Sequence, residues 1–276
     1  MTDSSQQRPK VFTINPLHSL ARGLVFAGLG GESGTYRLKD STRESQNNNG
    51  ILTGYSGVGN LPKDRWSKAI GRQTLSFNGS TNFVAIKQII FAYPLTLAIW
   101  CKPSLSSNSG VAIYIGPDNG DNDGCWISFG AGGSAFAITN GVPSGSVPYT
   151  ANIWYSAIAI FSSSTSRTLY LNGISGTIGT DDRTPANWLH SYVGRNCNFG
   201  SPIYWNGDIT DAMIWNRTLN PMEIQALSIQ SNVLMNYGGT PLINEPRMST
   251  RKVIWWPAPL TGPGAMNYWI SPRSIP

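Results

Sequence analysis

Residues 205–227, WNGDITDAMIWNRTLNPMEIQAL, read as an apolar strand, a turn and a short helix. Asn220 is placed to cap the orphan amides of a helix start, Pro221 suits the first helical position, and Glu223 stands three residues after the cap as a capping-box partner. Ile224 and Leu227 then give a single apolar stripe, sufficient to pack a helix of about three turns on a larger body. No comparable helix signal stands elsewhere in the chain. The segment therefore predicts the closing element of a domain built from strands.

Upstream, short apolar runs are separated by clusters of Gly, Asn, Ser and Pro. In LTLAIWCKP, Leu95, Leu97, Ile99 and Cys101 alternate with Thr96, Ala98, Trp100 and Lys102, which predicts a half-buried strand. TLSFNGSTNFVAI pairs two runs around a turn in which Asn78 and Gly79 tolerate positive φ. GVAIYIG, CWISFG, SAFAIT, WYSAIAIF and RTLYLNGISG continue the pattern, and YVGRN precedes the closing strand. About a dozen short strands with one helix predict an all-β fold, a two-sheet antiparallel sandwich or jelly roll.

The flanks differ from this body. Residues 1–22 are polar, contain Pro9 and Pro16, and are expected to form an N-terminal arm. Residues 23–232 are expected to be the sandwich. Residues 233–276 hold Pro241, Pro246, Pro257, Pro259, Pro263, Pro272 and Pro276 with Trp255, Trp256, Tyr268 and Trp269, a density of proline that sheet interiors do not accept. An extended C-terminal arm is expected, packed on its own domain or on a partner, with Arg247, Arg251, Lys252, Trp255, Trp256 and Trp269 as anchoring side chains.

Charge narrows the function classes. The net charge of +6 divides into ten Lys/Arg against five acids in residues 1–72, six against eight in 73–232, and four against one in 233–276. The body is mildly acidic, so no basic groove for nucleic acid is expected, and basic ends suit docking to an acidic protein surface. Cys101, Cys125 and Cys197 show neither a disulfide framework nor zinc-ligand spacing. The polar start MTDSSQQRPKVFTINP has no apolar core of a signal peptide, and no apolar run reaches membrane-spanning length. Synthesis in the cytosol without membrane insertion is the expectation. The acceptor patterns at Asn78 and Asn216 are accordingly coincidental.

Catalytic patterns are absent. Glycoside hydrolysis needs two carboxylates facing across a cleft, yet Glu32, Glu44, Glu223 and Glu245 stand in no such arrangement, and Asp208 and Asp211 point to opposite faces of a regular strand. His18 and His190 have no nucleophile that spacing picks out. No enzyme is expected. The loop GPDNGDNDGCW is the most polar cluster: Asp118, Asp121 and Asp123 are either a solvated connection or the rim of a sugar site, with Trp126 or Trp188 stacking on the ring.

Taken in order, LARGLVFAGLGGESGTYRLKDSTRESQNNNGILTG, LSFNGSTNFVAI, LTLAIWCKP, LYLNGISG, YVGRN and the closing stretch resemble the successive motifs of concanavalin A-like, laminin-G-like domains over about residues 20–230. The resemblance implies a sandwich of two curved antiparallel sheets. It also implies calcium held near Asp40, Asn49, Thr210 and Asp211, although Thr210 stands where the family has Asp, and Asn78 and Asn82 replace two further acids. Fewer carboxylates weaken such a site, and a plain hydrogen-bonded loop is the alternative. Many such domains lie in virion proteins of tailed phages, and the ending RKVIWWPAP is similar to tails of phage-encoded examples. The expected function is a non-enzymatic virion structural protein, a capsid decoration protein anchored through its arms to the major capsid protein or another virion protein, with the virion as its location. The competing expectation is a carbohydrate-binding adhesin that recognises host glycans; either form is compatible with a homo-oligomer.

Overall fold

In a computed structural model, residues 13–29, 37–38, 40–42, 48–55, 66–69, 72–86, 92–106, 109–117, 123–185, 188, 190–197, 201–229, 235–237 and 240–241 are described. Two large antiparallel sheets face each other. The nine-stranded sheet runs Val142–Pro143, Ser134–Thr139, Cys125–Gly130, Gly110–Gly116, His190–Val193, Phe83–Ile86, Gly50–Thr53, Arg37–Leu38, with Val147–Pro148 also paired to Ser134–Thr139. The eight-stranded sheet runs Ile174–Ser175, Ser166–Leu171, Tyr155–Ser163, Leu95–Pro103, Asn206–Trp215, Arg72–Asn78, Trp66–Ala69, with Leu24–Gly28 along the far half of Asn206–Trp215. The strand pairs order non-neighbouring segments, so the sheets form by long-range pairing.

Alternation decides what each sheet buries. Leu95, Leu97, Ile99 and Cys101 enter the core between the sheets, with Ile113, Ile115, Ile127, Phe129 and Trp205. Each such side chain contributes about 1.5–3 kcal/mol of burial. The other face of the same strand fastens the covering elements: Thr96 Oγ1 donates to Arg217 O at 2.7 Å and Trp100 Nε1 to Leu227 O at 3.2 Å. Lys102 pairs with Asp208 at 2.7 Å. The Asn172–Gly173 turn takes φ of 50° and 82°, the geometry that suits a tight hairpin.

The helix spans Pro221–Ile229. Its capping box forms as the residues predict: Glu223 N donates to Asn220 Oδ1 and Asn220 N to Glu223 Oε2, both at 3.0 Å. Ile224 and Leu227 join Met213, Trp215, Leu219, Leu24 and Leu20 in a second cluster on the outer face of the eight-stranded sheet. Residues at the end of the expected N-terminal arm thus pack with the domain: Leu20 is fully buried, and its carbonyl accepts from Trp215 Nε1 at 2.7 Å.

A third small sheet joins Thr13–Ile14, Met235–Tyr237 and Thr240–Pro241, with Thr13 opposite Asn236. Backbone contacts group Met1–Leu242 as one unit and Ile243–Pro276 as another. Every described residue lies in the first. The expected anchoring residues Arg247, Arg251, Lys252, Trp255, Trp256 and Trp269 lie outside the described residues.

Candidate functional site

One end of the sandwich carries an open groove of about 280 Å³ lined by Gly79, Leu105, Pro202, Ile203, Tyr204 and Asn206. Three connections build it. The first is the 78–82 turn, where Asn78 Oδ1 accepts from the amides of Ser80, Thr81 and Asn82. Gly79 alone there takes positive φ, +75°; Asn78 keeps strand geometry and uses its side chain to organise the turn. In the second, Ser109 Oγ donates to Leu105 O at 2.7 Å and accepts from Leu105 N at 3.0 Å. The third returns on itself, with Ile203 N donating to Asn196 Oδ1 at 2.7 Å and Arg195 bridging to Tyr204.

Trp205 fixes the groove to the core. It is fully buried and meets Phe129 edge-on, with ring centroids 5.2 Å apart. Its amide donates to Gly194 O and its carbonyl accepts from Gly79 N. Tyr204, one residue earlier, is left half-buried on the opposite side, its ring 6.4 Å from Phe83. Gly110 takes φ of +90°, and a Cβ there would collide with the Tyr204 carbonyl, so the close crossing of these chains requires glycine. Aliphatic side chains, one tyrosine and Asn206 line a small open cleft of mixed polarity.

The sugar-site residues expected from sequence are distributed differently. Asp118 and Asp121 lie outside the described residues. Asp123 and Trp188 reach the sandwich end opposite the groove, where Asn140 accepts from Gly124 N and donates to Thr184 O, and Tyr93 touches both the Cys125 thiol and the Trp188 ring. Burial, then the neighbouring Cys125, push the Tyr93 hydroxyl above its usual range. Arg167 lies buried nearby and holds Asp181 through its main-chain and side-chain oxygens at 3.0 and 3.3 Å. Trp126 does not join this group. It stands in a cross-strand row with Ala85, Tyr192, Tyr114 and Ile138 on the outer face of the nine-stranded sheet. At 4% exposure it is packed against Tyr114 rather than presented as an open platform.

Asp40 and Asp211 lie on either side of the strand Leu24–Gly28, since Gly28 bridges Asp40 and pairs with Ala212. Asp211 has φ of 51° at a bulge that shifts the register between Thr210 and Met213. The bulge replaces the regular alternation expected between Asp208 and Asp211: Ile209 and Ala212 both enter the core. Asp208 is held by Lys102 and by Ser76 Oγ at 2.6 Å. Asp40 accepts from Ala27 N, Thr42 N and Thr42 Oγ1, and its own amide donates to Asn49 Oδ1. Calcium takes six to eight oxygens (about six at minimum), and among the described residues no group of three or more His, Cys, Asp or Glu side chains gathers. Asp40 and Asn49, as arranged, hold the loop to the sheet.

A family model, Laminin_G_3, described as the concanavalin A-like lectin/glucanases superfamily, matches residues 78–225. No curated protein sequence matches the chain. Among solved structures, domain 4 of the extracellular arabinanase AbnA from Geobacillus stearothermophilus, in complex with arabinotriose, aligns at a TM-score of 0.53 with 15% identity, covering 74% of this chain and 98% of that one. Trypanosoma rangeli sialidase aligns at 0.55 with 14% identity, covering 77% of this chain and 33% of the sialidase. This chain thus spans a third of that enzyme's length, and both likenesses are of fold. Among the described residues no helix is long and apolar enough to cross a membrane.

Proposed function

This chain belongs to the concanavalin A-like lectin/glucanase superfamily, and on that premise we propose that it is a non-catalytic glycan-binding module whose ligand enters the groove at Tyr204. The groove carries the reading. Tyr204 and Ile203 offer a surface for the C–H face of a sugar ring, and Asn206 offers an amide that both donates and accepts toward hydroxyls. The structurally similar arabinanase domain, which holds arabinotriose, supports a binding role for this kind of sandwich. A non-catalytic role is supported by the employment of three described carboxylates: Asp208 serves Lys102, Glu223 serves Arg217 and Asp40 serves its loop. A glycan array with the whole chain, run with and without a chelator, is expected to give reproducible binding that Tyr204→Ala removes. Binding unchanged in that variant sinks the groove assignment, and loss on chelation brings calcium back.

A second reading, a phage virion protein that displays this sandwich, is favoured by the small sheet in which Thr13 pairs with Asn236 and by the separate unit Ile243–Pro276. The chain enters that sheet at Thr13 and leaves it at Pro241, on either side of Asn236, an arrangement that suits a displayed domain with two anchoring ends. Deleting residues 243–276 is expected to abolish binding to the particle while the sandwich stays folded. Retained binding by the truncation defeats this reading.

A further inference from the structure

A cation stands beside the groove tyrosine with no carboxylate among the described residues to meet it. Arg195 is the cross-strand partner of Tyr204. Its guanidinium carbon sits 4.3 Å from the centre of the Phe83 ring and 4.5 Å from that of Tyr192. Phe83 in turn lies against Tyr204. The ring of Phe83 is therefore shared by the cation and the groove tyrosine, and it sets them side by side.

The other ion pairs of the fold make the contrast. Lys102 has Asp208, Arg167 has Asp181 and Arg217 has Glu223. Among the described residues no carboxylate lies within ion-pair distance of Arg195, and its Nε is buried without a hydrogen-bond partner. Two aromatic faces offset part of the lost hydration of a guanidinium, but they bind its faces and leave the Nε–H unused. Asp208, two residues beyond Asn206, is already neutralised by Lys102 and does not cancel the charge. A planar fork of donors held rigid by stacking matches a carboxylate through two parallel hydrogen bonds.

We propose that the groove takes a saccharide bearing a carboxylate, with Arg195 binding the carboxylate and Tyr204 the ring. The inference rests on the glycan-binding reading and adds the charge class of its ligand. The test uses the whole chain in calorimetric titrations with trigalacturonate against its methyl ester, and with sialyllactose against lactose, so that a uronate and a sialate are separated. The expected result is that one acidic ligand binds at least about tenfold more tightly than its neutral counterpart, a preference that falls as salt rises. Arg195→Gln should abolish the preference for the acidic ligand over its neutral counterpart, and Arg195→Lys, which keeps the charge but not the stacked fork, should restore only part of it. Equal affinities for acid and neutral forms, or a preference that survives in Arg195→Gln, overturn this inference and leave glycan binding standing. If the wild-type chain binds none of these and no glycan on the array, both readings fall. Should Arg195→Gln not fold, the ester pair and Arg195→Lys decide.

Discussion

Arg217 and Glu223 meet through two 2.8 Å contacts, Nη1 to Oε2 and Nη2 to Oε1. The same guanidinium donates from Nε to Arg22 O at 2.7 Å and from Nη2 to Ser19 O at 3.1 Å. One side chain thus ties the N-terminal segment, the closing turn and the helix start together. Burial works against the Glu223 charge, but the hydrogen bonds from Arg217 and the Asn220 amide outweigh it and hold the carboxyl below its usual range. A depressed carboxyl contributes stability above its unfolded pKa, and the contribution is lost as pH falls through the lower folded value.

Glu223→Gln is therefore expected to destabilise the fold by about 2–3 kcal/mol at neutral pH, with the gap to wild type closing below about pH 4. Urea unfolding at neutral and acidic pH measures it. A variant as stable as wild type at neutral pH contradicts the role given to the pair.

The burial of Leu20 gives a second expectation. Leu20→Ala should cost about 2–5 kcal/mol, although the residue lies before the first long strand. Trp215→Phe should cost about 1–3 kcal/mol, because it leaves the buried Leu20 carbonyl without its donor. Thermal or urea denaturation of both variants tests whether this segment is part of the cooperative unit, and unchanged midpoints would show that it is not.

Gly110→Ala combines a left-handed backbone with a collision against the Tyr204 carbonyl. A loss of at least about 1 kcal/mol of stability is expected from the backbone conformation alone. Since relief of the collision moves Tyr204, glycan affinity should fall further than stability. Titration of the variant below its unfolding temperature separates the two effects.

The three thiols are buried. Burial pushes Cys125 up to about 12, and raises Cys101 as well. Neither supplies thiolate at neutral pH. An aromatic disulfide reagent should react with the native chain only as slowly as it unfolds, and stoichiometrically in denaturant; rapid labelling of the native chain would refute the burial of these strands.

Much of the architecture was legible because it depends on neighbours in sequence. The capping box needs Asn220 and Glu223 three residues apart, and the hairpin needs Asn172 beside Gly173. The strand from Leu95 to Pro103 needs only a period of two. The bulge at Asp211 escaped, since the alternation around it breaks only when three partner strands impose their registers. Trp126 illustrates the same limit. Its polar loop suggested an exposed ring, but the period of two that buries Cys125 turns Trp126 onto the outer sheet face, where Tyr114 covers it.

By itself the sequence determined an all-β sandwich with one closing helix and the faces of its long strands, all properties of local spacing and residue type. Only the tertiary structure decided the groove, which joins Gly79, Leu105 and Tyr204 across long loops, and the stacking of Arg195 on Phe83 and Tyr192. Those contacts come from strands distant in the chain and adjacent in the sheet. Their physical cause is backbone pairing, which sets side chains near one another without any mark in the intervening sequence.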